Sequence, residues 1–295
     1  MQSNDRQKLL FVINPQSGKK PPDWEWIIRE HFKKLPHQVV IFKLMGNNDT
    51  ELIRQKINEL SPDVVIAVGG DGTVKLVAEN LLRSNILLGI IPSGSANGMA
   101  RELEIPEARE KAFEILLKGQ TKIIDLIRIN NEWCMHLSDI GLNAQLIKYF
   151  QSSKKRGWWG YARSSLKVLW NRKLMRIQIS SDTQSILRHA FMVVIANARK
   201  YGTGAIINPE GSVEDGFFEV VVVRRLSWAE LLKMLISHKP FDPEKIEVIK
   251  TKKATLACKR KYPFQVDGEY RGRVNLIEAK IETGQIRVII PGKVK

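Results

Sequence analysis

Through residue 117, short apolar runs alternate with segments of helical spacing, and few folds accommodate that order. KLLFVINP, QVVIFKL, DVVIAV and ILLGIIP read as strands. DWEWIIREHFKKL, DTELIRQKINEL, VKLVAENLLR and residues 107–117 carry apolar residues at helical intervals. The first of these opens with acids, and the second takes Asp49 or Thr50 as its N-cap. Strands linked by helices run parallel in an open α/β sheet, whose sites lie at the carboxyl ends of the strands.

From about Ile123 the pattern changes. KIIDLIRIN, EWCMHLSDIG, LMRIQISS, HAFMVVIANA, FFEVVVVRR, IEVIKTKKATLAC, YPFQVDGEY, NLIEAKIE and QIRVIIP read as short strands separated by turns. This is the pattern of an antiparallel sandwich or barrel, interrupted by helical insertions near residues 142–169 and 227–236. The expected division is an α/β domain over residues 1–124 and an all-β domain over residues 125–295, the last strand being free to return to the first domain. No linker of low complexity and no internal repeat separates them.

Three glycine-bearing turns follow strands of the first domain: NPQSGKK, GGDGT and IPSGSANGMAR. In a parallel sheet all three arrive at one edge. Their backbone N–H groups are unobstructed, and two of the turns feed helices whose N-termini favour anions. Together they suit a polyphosphate. Asp71, an acid between glycines, has no evident structural need for its charge there. GxxxxGK[ST] is absent, and the turn after the first strand lacks GxGxxG, so neither a P-loop nor a dinucleotide redox fingerprint accounts for them.

The net charge is +16, which calls for an anionic partner. No acid lies between Asp139 and Asp182, while residues 154–173, with Lys154 and Lys173 at their ends, mix cations with Trp158, Trp159, Tyr161 and Trp170. That mixture suits a segment lying on an anionic membrane surface. Zinc-finger spacing, an RRM signature and a homeodomain-like helix are all absent, so no nucleic acid is expected. The histidines are scattered without metal spacing. Two cysteines, Cys134 and Cys258, make no disulfide framework, and no apolar run approaches the roughly 20 residues of a membrane span. The expectation is a cytoplasmic protein that associates reversibly with membrane.

NPQSG, GGDGT, PSGSANGMAR, YGTGAIINPEGSVEDGFFEV and VDGE, in that order, resemble the diacylglycerol kinase catalytic-domain superfamily, which includes bacterial soluble lipid kinases and the sphingosine and ceramide kinases. GGDGT alone would be shared with NAD kinases. The resemblance implies an α/β nucleotide domain and a β-sandwich with the active site between them, and ATP-dependent transfer of the γ-phosphate to a lipid hydroxyl. ATP and Mg2+ are the implied cofactors. The alternatives are an NAD kinase-like enzyme of a soluble metabolite and a non-catalytic basic protein that binds lipid or nucleic acid. Oligomeric state is not legible.

The resemblance assigns roles by position. Asn14, Pro15, Gln16, Ser17 and Gly18 match the first nucleotide loop, Gly69, Gly70, Gly72 and Thr73 the second, and Ser95 the third. Lys19 and Arg101 join a charge network at the nucleotide. Asp71 either holds the Mg2+ of MgATP or orients the acceptor hydroxyl. Glu269 is the general base that activates the alcohol. Asp215 binds a structural Mg2+ with the carbonyls of Ser212 and Phe217. The sequence departs from many relatives at Val74-Lys75, where they carry Asn-Glu. It also departs at Ala96-Asn97-Gly98-Met99, which is closer to sphingosine-kinase-like loops, and in YGTG, which has one glycine fewer.

Overall fold

The structure is a computed structural model that describes residues 6–18, 21–145, 147, 174–199, 206–225 and 241–292. The chain forms two compact units. One comprises residues 1–124 and 284–295, and the other residues 125–283.

In the first unit β1 (Lys8–Ile13), β2 (Gln38–Lys43), β3 (Val64–Gly69) and β4 (Leu87–Pro92) pair in parallel, in the order β4-β3-β1-β2. β3 is VVIAVG, buried at every position, as a central strand covered on both faces must be. α1 (Trp24–Phe32) buries Trp24, Ile28 and Phe32, a four-residue spacing that keeps one stripe on the sheet. Asp23 caps it by accepting from Trp26 N. α2 (Asp49–Leu60) buries Ile53 and Ile57. Its N-cap is Asn48, in the left-handed region at φ 56°, and not Asp49 or Thr50. The reason is that the Asp49 carboxylate turns back to accept from Met45 N and Gly46 N, both at 2.9 Å.

α3 (Asp71–Asn80) also starts earlier than its apolar spacing suggests. Gly70 is the N-cap, so Asp71, Gly72 and Thr73 form the first helical turn and no separate loop precedes it. A five-residue helix, α4 (Gly98–Glu102), and α5 (Arg109–Lys118) complete the unit. Its core joins Phe11, Phe32 and Phe113, and His31 stacks on the Phe113 ring at 4.3 Å.

β5 (Gln120–Ile129) leads into the second unit, whose strands are β6 (Glu132–Cys134), β7 (Leu137–Gly141), β8 (Met175–Ser181), β9 (Ser185–Ala190), β10 (Met192–Ala196), β11 (Phe218–Val223), β12 (Ile246–Thr251) and β13 (Lys253–Val266). β14 (Glu269–Ile290) starts in the second unit and ends in the first, where Arg287 and Val288 pair in parallel with Leu87 and Leu88 of β4. The pairs β12-β11, β11-β10, β10-β7, β7-β13 and β13-β14 are all antiparallel, and β8 and β9 extend from β13. Ile177, Ile195, Val220, Leu256, Val266 and Ile277 lie in one core, and Val194, Val221, Ile207 and Phe241 in another. Each such side chain removed from water contributes about 1.5–3 kcal/mol.

Several strand expectations are corrected. EWCMHLSDIG, HAFMVVIANA and YPFQVDGEY each divide between two strands, β6 and β7, β9 and β10, and β13 and β14. IEVIKTKKATLAC is two strands, because Asp182 Oδ2 accepts from Lys252 N at 2.8 Å and Lys253 N at 3.0 Å and breaks the ladder there. NLIEAKIE and QIRVIIP instead belong to one 22-residue strand, in which Gly272 and Gly284 take positive φ and absorb the bends. Residues 142–145 and 147 are helical. The rest of that insertion and residues 227–236 lie outside the described residues, as do Lys19, residues 154–173 and residues 201–205 of YGTGA. Among the described residues no helix is long and apolar enough to cross a membrane.

Candidate active site

The three glycine turns follow β1, β3 and β4, and in the first unit they are tied to one another. Asn14 opens the first turn. Its side chain accepts from Gln16 N at 3.0 Å, an Asx-turn, and donates to Thr73 Oγ1 at 3.3 Å. Asn14 N donates to Val68 O at 3.0 Å, and Ser17 N to Asn14 O at 3.2 Å. Gly18 sits at φ 88°, where a Cβ would lie 2.8 Å from Ser93 O.

The second and third turns touch through their backbones. A Cβ on Gly70 would lie 3.2 Å from Gly94 Cα, and one on Gly94 would overlap Gly70 Cα and stand 2.9 Å from Asn97 Oδ1. A Cβ on Gly69 would overlap the Thr73 side chain. These glycines are therefore required by the protein's own packing. Gly72 is different. It is exposed, and among the described residues a Cβ there would meet no atom within 4 Å. Nothing among the described residues explains why it is glycine.

Asp71 has the structural need that its sequence context did not reveal. Its Oδ2 accepts from Gly98 N and its Oδ1 from Met99 N, both at 3.0 Å. The carboxylate thus caps α4 from 27 residues away and pins the third turn to the start of α3. Asn97, at φ 53°, closes the third turn on itself. It accepts from Gly94 N at 2.8 Å and donates to Gly94 O at 3.0 Å. Sequence reasoning gave no role to Asn97 or Gly94. An asparagine three residues after a glycine is the signal that was available. Ser95 lies in this turn, and Arg101 pairs with Glu107 at 3.0 Å, which holds the Glu107 carboxyl below its ordinary range with help from Asn97.

Glu269 lies in the second unit, at the start of β14. The turn before it, Asp267-Gly268, has φ 48° and 82°, as a two-residue hairpin turn of the primed type requires. Asp267 fixes the hairpin by accepting from His136 N at 2.9 Å and Met135 N at 3.1 Å. Arg271 grips Glu132 with two hydrogen bonds, at 2.8 and 2.6 Å, and Glu269 with a third at 2.6 Å. Glu132 first, and then Glu269, raise the Arg271 pKa further above its already high value. Behind the hairpin, the Asp139 carboxyl is fully buried. Burial pushes its pKa up to about 6, against hydrogen bonds from Asn143, Gln265 and Ala144 N that pull it down.

Asp215 is elsewhere in this unit. Its Oδ2 accepts from Lys250 Nζ at 2.7 Å and its Oδ1 from Phe217 N at 3.1 Å. Ser212 is near in sequence, and its Oγ accepts from Glu214 N at 3.4 Å. Among the described residues no group of three or more His, Cys, Asp or Glu side chains is arranged to hold a metal ion.

Comparison with known proteins places both units. Residues 8–129 match the family described as diacylglycerol kinase catalytic domain, and residues 139–290 match the YegS C-terminal NAD kinase beta sandwich-like domain. A diacylglycerol kinase of Staphylococcus saprophyticus is 24% identical, over 98% of this chain and 97% of its own length. One from Staphylococcus epidermidis is 25% identical, over 91% and 88%. A crystal structure of a diacylglycerol kinase from Bacillus anthracis shares the fold, with TM-score 0.77, 19% identity and 98% of each chain covered. An NAD kinase from Archaeoglobus fulgidus, solved with ATP, has TM-score 0.53 and 15% identity, over 97% of this chain and 94% of that one. With both family models matching in this order along most of its length, the chain belongs to the family that joins a diacylglycerol kinase catalytic domain to a YegS C-terminal NAD kinase beta sandwich-like domain.

Proposed function

We propose that this protein transfers the γ-phosphate of ATP to the hydroxyl of a membrane lipid of the diacylglycerol or sphingosine kind. The observation that carries the reading is the linked set of turns with Gly72 open beside them. Asn14, Gln16 and Ser17 N bond within the first turn or to β3 and Pro15 has no N–H, so Gly18, the first residues of α3 and Ser95 offer the backbone donors to the phosphates, and the N-terminus of α3 favours their charge. Arg101 adds positive charge, held in place by Glu107. Asp71 positions the second and third turns. Each of its oxygens has more than one lone pair, so it retains acceptor capacity for the Mg2+ of MgATP or for the acceptor hydroxyl.

Glu269 takes the proton of the lipid hydroxyl. The hydroxyl oxygen bonds to the γ-phosphorus, the bond from that phosphorus to the β–γ bridging oxygen breaks, and ADP leaves. Mg2+ arriving with ATP offsets the phosphate charge. Arg271 is a positioning residue, since it holds Glu269 through a hydrogen bond while Glu132 anchors it from the other side. The basic aromatic segment, residues 154–173, brings the enzyme reversibly to an anionic leaflet. Cys134 and Cys258, both buried and neither in a disulfide, suit a reducing cytoplasm.

The test is transfer from γ-labelled ATP to a panel of acceptors: diacylglycerol, sphingosine and ceramide in mixed micelles, and NAD in solution. Label should appear in an organic-extractable product. Label in NADP with none in lipid would favour the soluble-metabolite reading, and label in neither would remove the kinase reading.

A further inference from the structure

The family resemblance implies a structural Mg2+ on Asp215, and the side chains around Asp215 do not fit one. Unlike Asp71, whose oxygens accept from backbone N–H groups, the Asp215 carboxylate already has a cation: Oδ2 accepts from the Lys250 ammonium at 2.7 Å, while Oδ1 accepts from Phe217 N at 3.1 Å. A second cation on the same carboxylate would face that ammonium at short range. Mg2+ also demands near-octahedral oxygen ligation, whereas an ammonium tolerates irregular partners.

The lysine is placed there by the fold. In the β11–β12 register Lys250 lies directly opposite Glu219. The Glu219 side chain is only 3% exposed, and Lys250 Nζ comes to 4.0 Å from its Oε1. Among the described residues that oxygen has no hydrogen-bond partner, while Oε2 accepts from Asn208 Nδ2. A buried carboxylate with one oxygen unbonded depends on a nearby positive charge. Lys250 Nζ also stands 5.1 Å over the Phe217 ring, with Lys252 Nζ at 4.9 Å from the same ring. The aromatic face thus adds to the cation's hold. Glu210 also contributes negative charge to Lys250.

We infer that Lys250 is the resident cation of the Asp215–Glu219 cluster, so that the second unit keeps its structure with no divalent ion at Asp215. This stands apart from the kinase reading, because it concerns folding and not turnover.

The experiment is thermal unfolding of the full chain without nucleotide, in EDTA and in millimolar Mg2+, for the native sequence, Lys250→Met, Lys250→Arg and Asp215→Asn. The native Tm should be the same in both media. Lys250→Met should lower it by about 5 °C or more, because a buried carboxylate loses its counter-charge, and Lys250→Arg should retain most of it. A native Tm that rises in Mg2+ and loses that rise in Asp215→Asn would overturn the inference. So would a Lys250→Met protein as stable as the native one. A rise that survives Asp215→Asn comes from another site and leaves Asp215 free of metal, as inferred. If Lys250→Met does not fold, the native and Asp215→Asn arms decide.

Discussion

Glu269→Gln should lower kcat for lipid phosphorylation by about 100- to 10,000-fold, the usual range for removal of a general base. ATP affinity should stay within about twofold, because Glu269 belongs to the second unit and the turns proposed to hold the phosphates to the first. The fold should persist. Glutamine keeps the length and one oxygen to accept from Arg271, and the backbone pairing of Val266 with residue 269 does not involve the side chain. The Glu269–Arg271 pair is itself half exposed, with side chains 52% and 36% accessible, so its loss should cost less than about 1 kcal/mol. A circular dichroism melt next to steady-state kinetics separates the two effects. Turnover within a few-fold of native, in a protein that melts normally, would remove Glu269 from the chemistry.

Gly72→Ala separates folding from binding in the opposite unit. Among the described residues a methyl group at this exposed position meets no atom within 4 Å, and Gly72 lies in the first turn of α3. Alanine there should leave stability unchanged or raise it by up to about 1 kcal/mol, because glycine is a poor helix residue. If phosphate oxygens approach that turn as closely as proposed, the methyl group meets them. Nucleotide binding should then weaken at least about tenfold, about 1.4 kcal/mol. Gly94→Ala is the contrasting control, since its Cβ would overlap Gly70 Cα and should cost stability as well as binding. Isothermal titration with MgATP and a thermal melt of each variant give both numbers. Native affinity in Gly72→Ala would mean that the turn opens onto nothing.

The strands and helices of the first unit were legible because their periods are strong. The all-buried VVIAVG and the Trp24, Ile28, Phe32 stripe each announce one element. Where an element begins was less legible. The start of α3 at Asp71 and the cap of α2 at Asn48 depend on where Asp71 and Asp49 send their carboxylates, which local propensity does not encode. Strand lengths in the second unit were misjudged for a related reason. Gly272 and Gly284 look like stops in a sequence, but with positive φ they let β14 bend and continue.

At the candidate site, the residue types were readable and their partners were not. The Asp71 contacts with Gly98 and Met99 span 27 and 28 residues, and the Lys250 contact with Asp215 spans 35. Such pairings arise only when the sheet order brings turns and strands together. The glycines divide in the same way. GGDGT showed that backbone must approach something closely, but only the fold shows that Gly69 and Gly70 answer to Thr73 and Gly94 while Gly72 answers to none of the described residues.

The account depends most on the phosphates of ATP resting on these turns. Hydrogen exchange of the native full-length chain, followed by mass spectrometry with and without MgATP, tests this directly. Exchange should slow in peptides covering residues 14–18, 69–73 and 93–97, and less in the β8–β9 hairpin. Unchanged exchange in all three turns at saturating MgATP, with protection confined to other segments, would contradict the account.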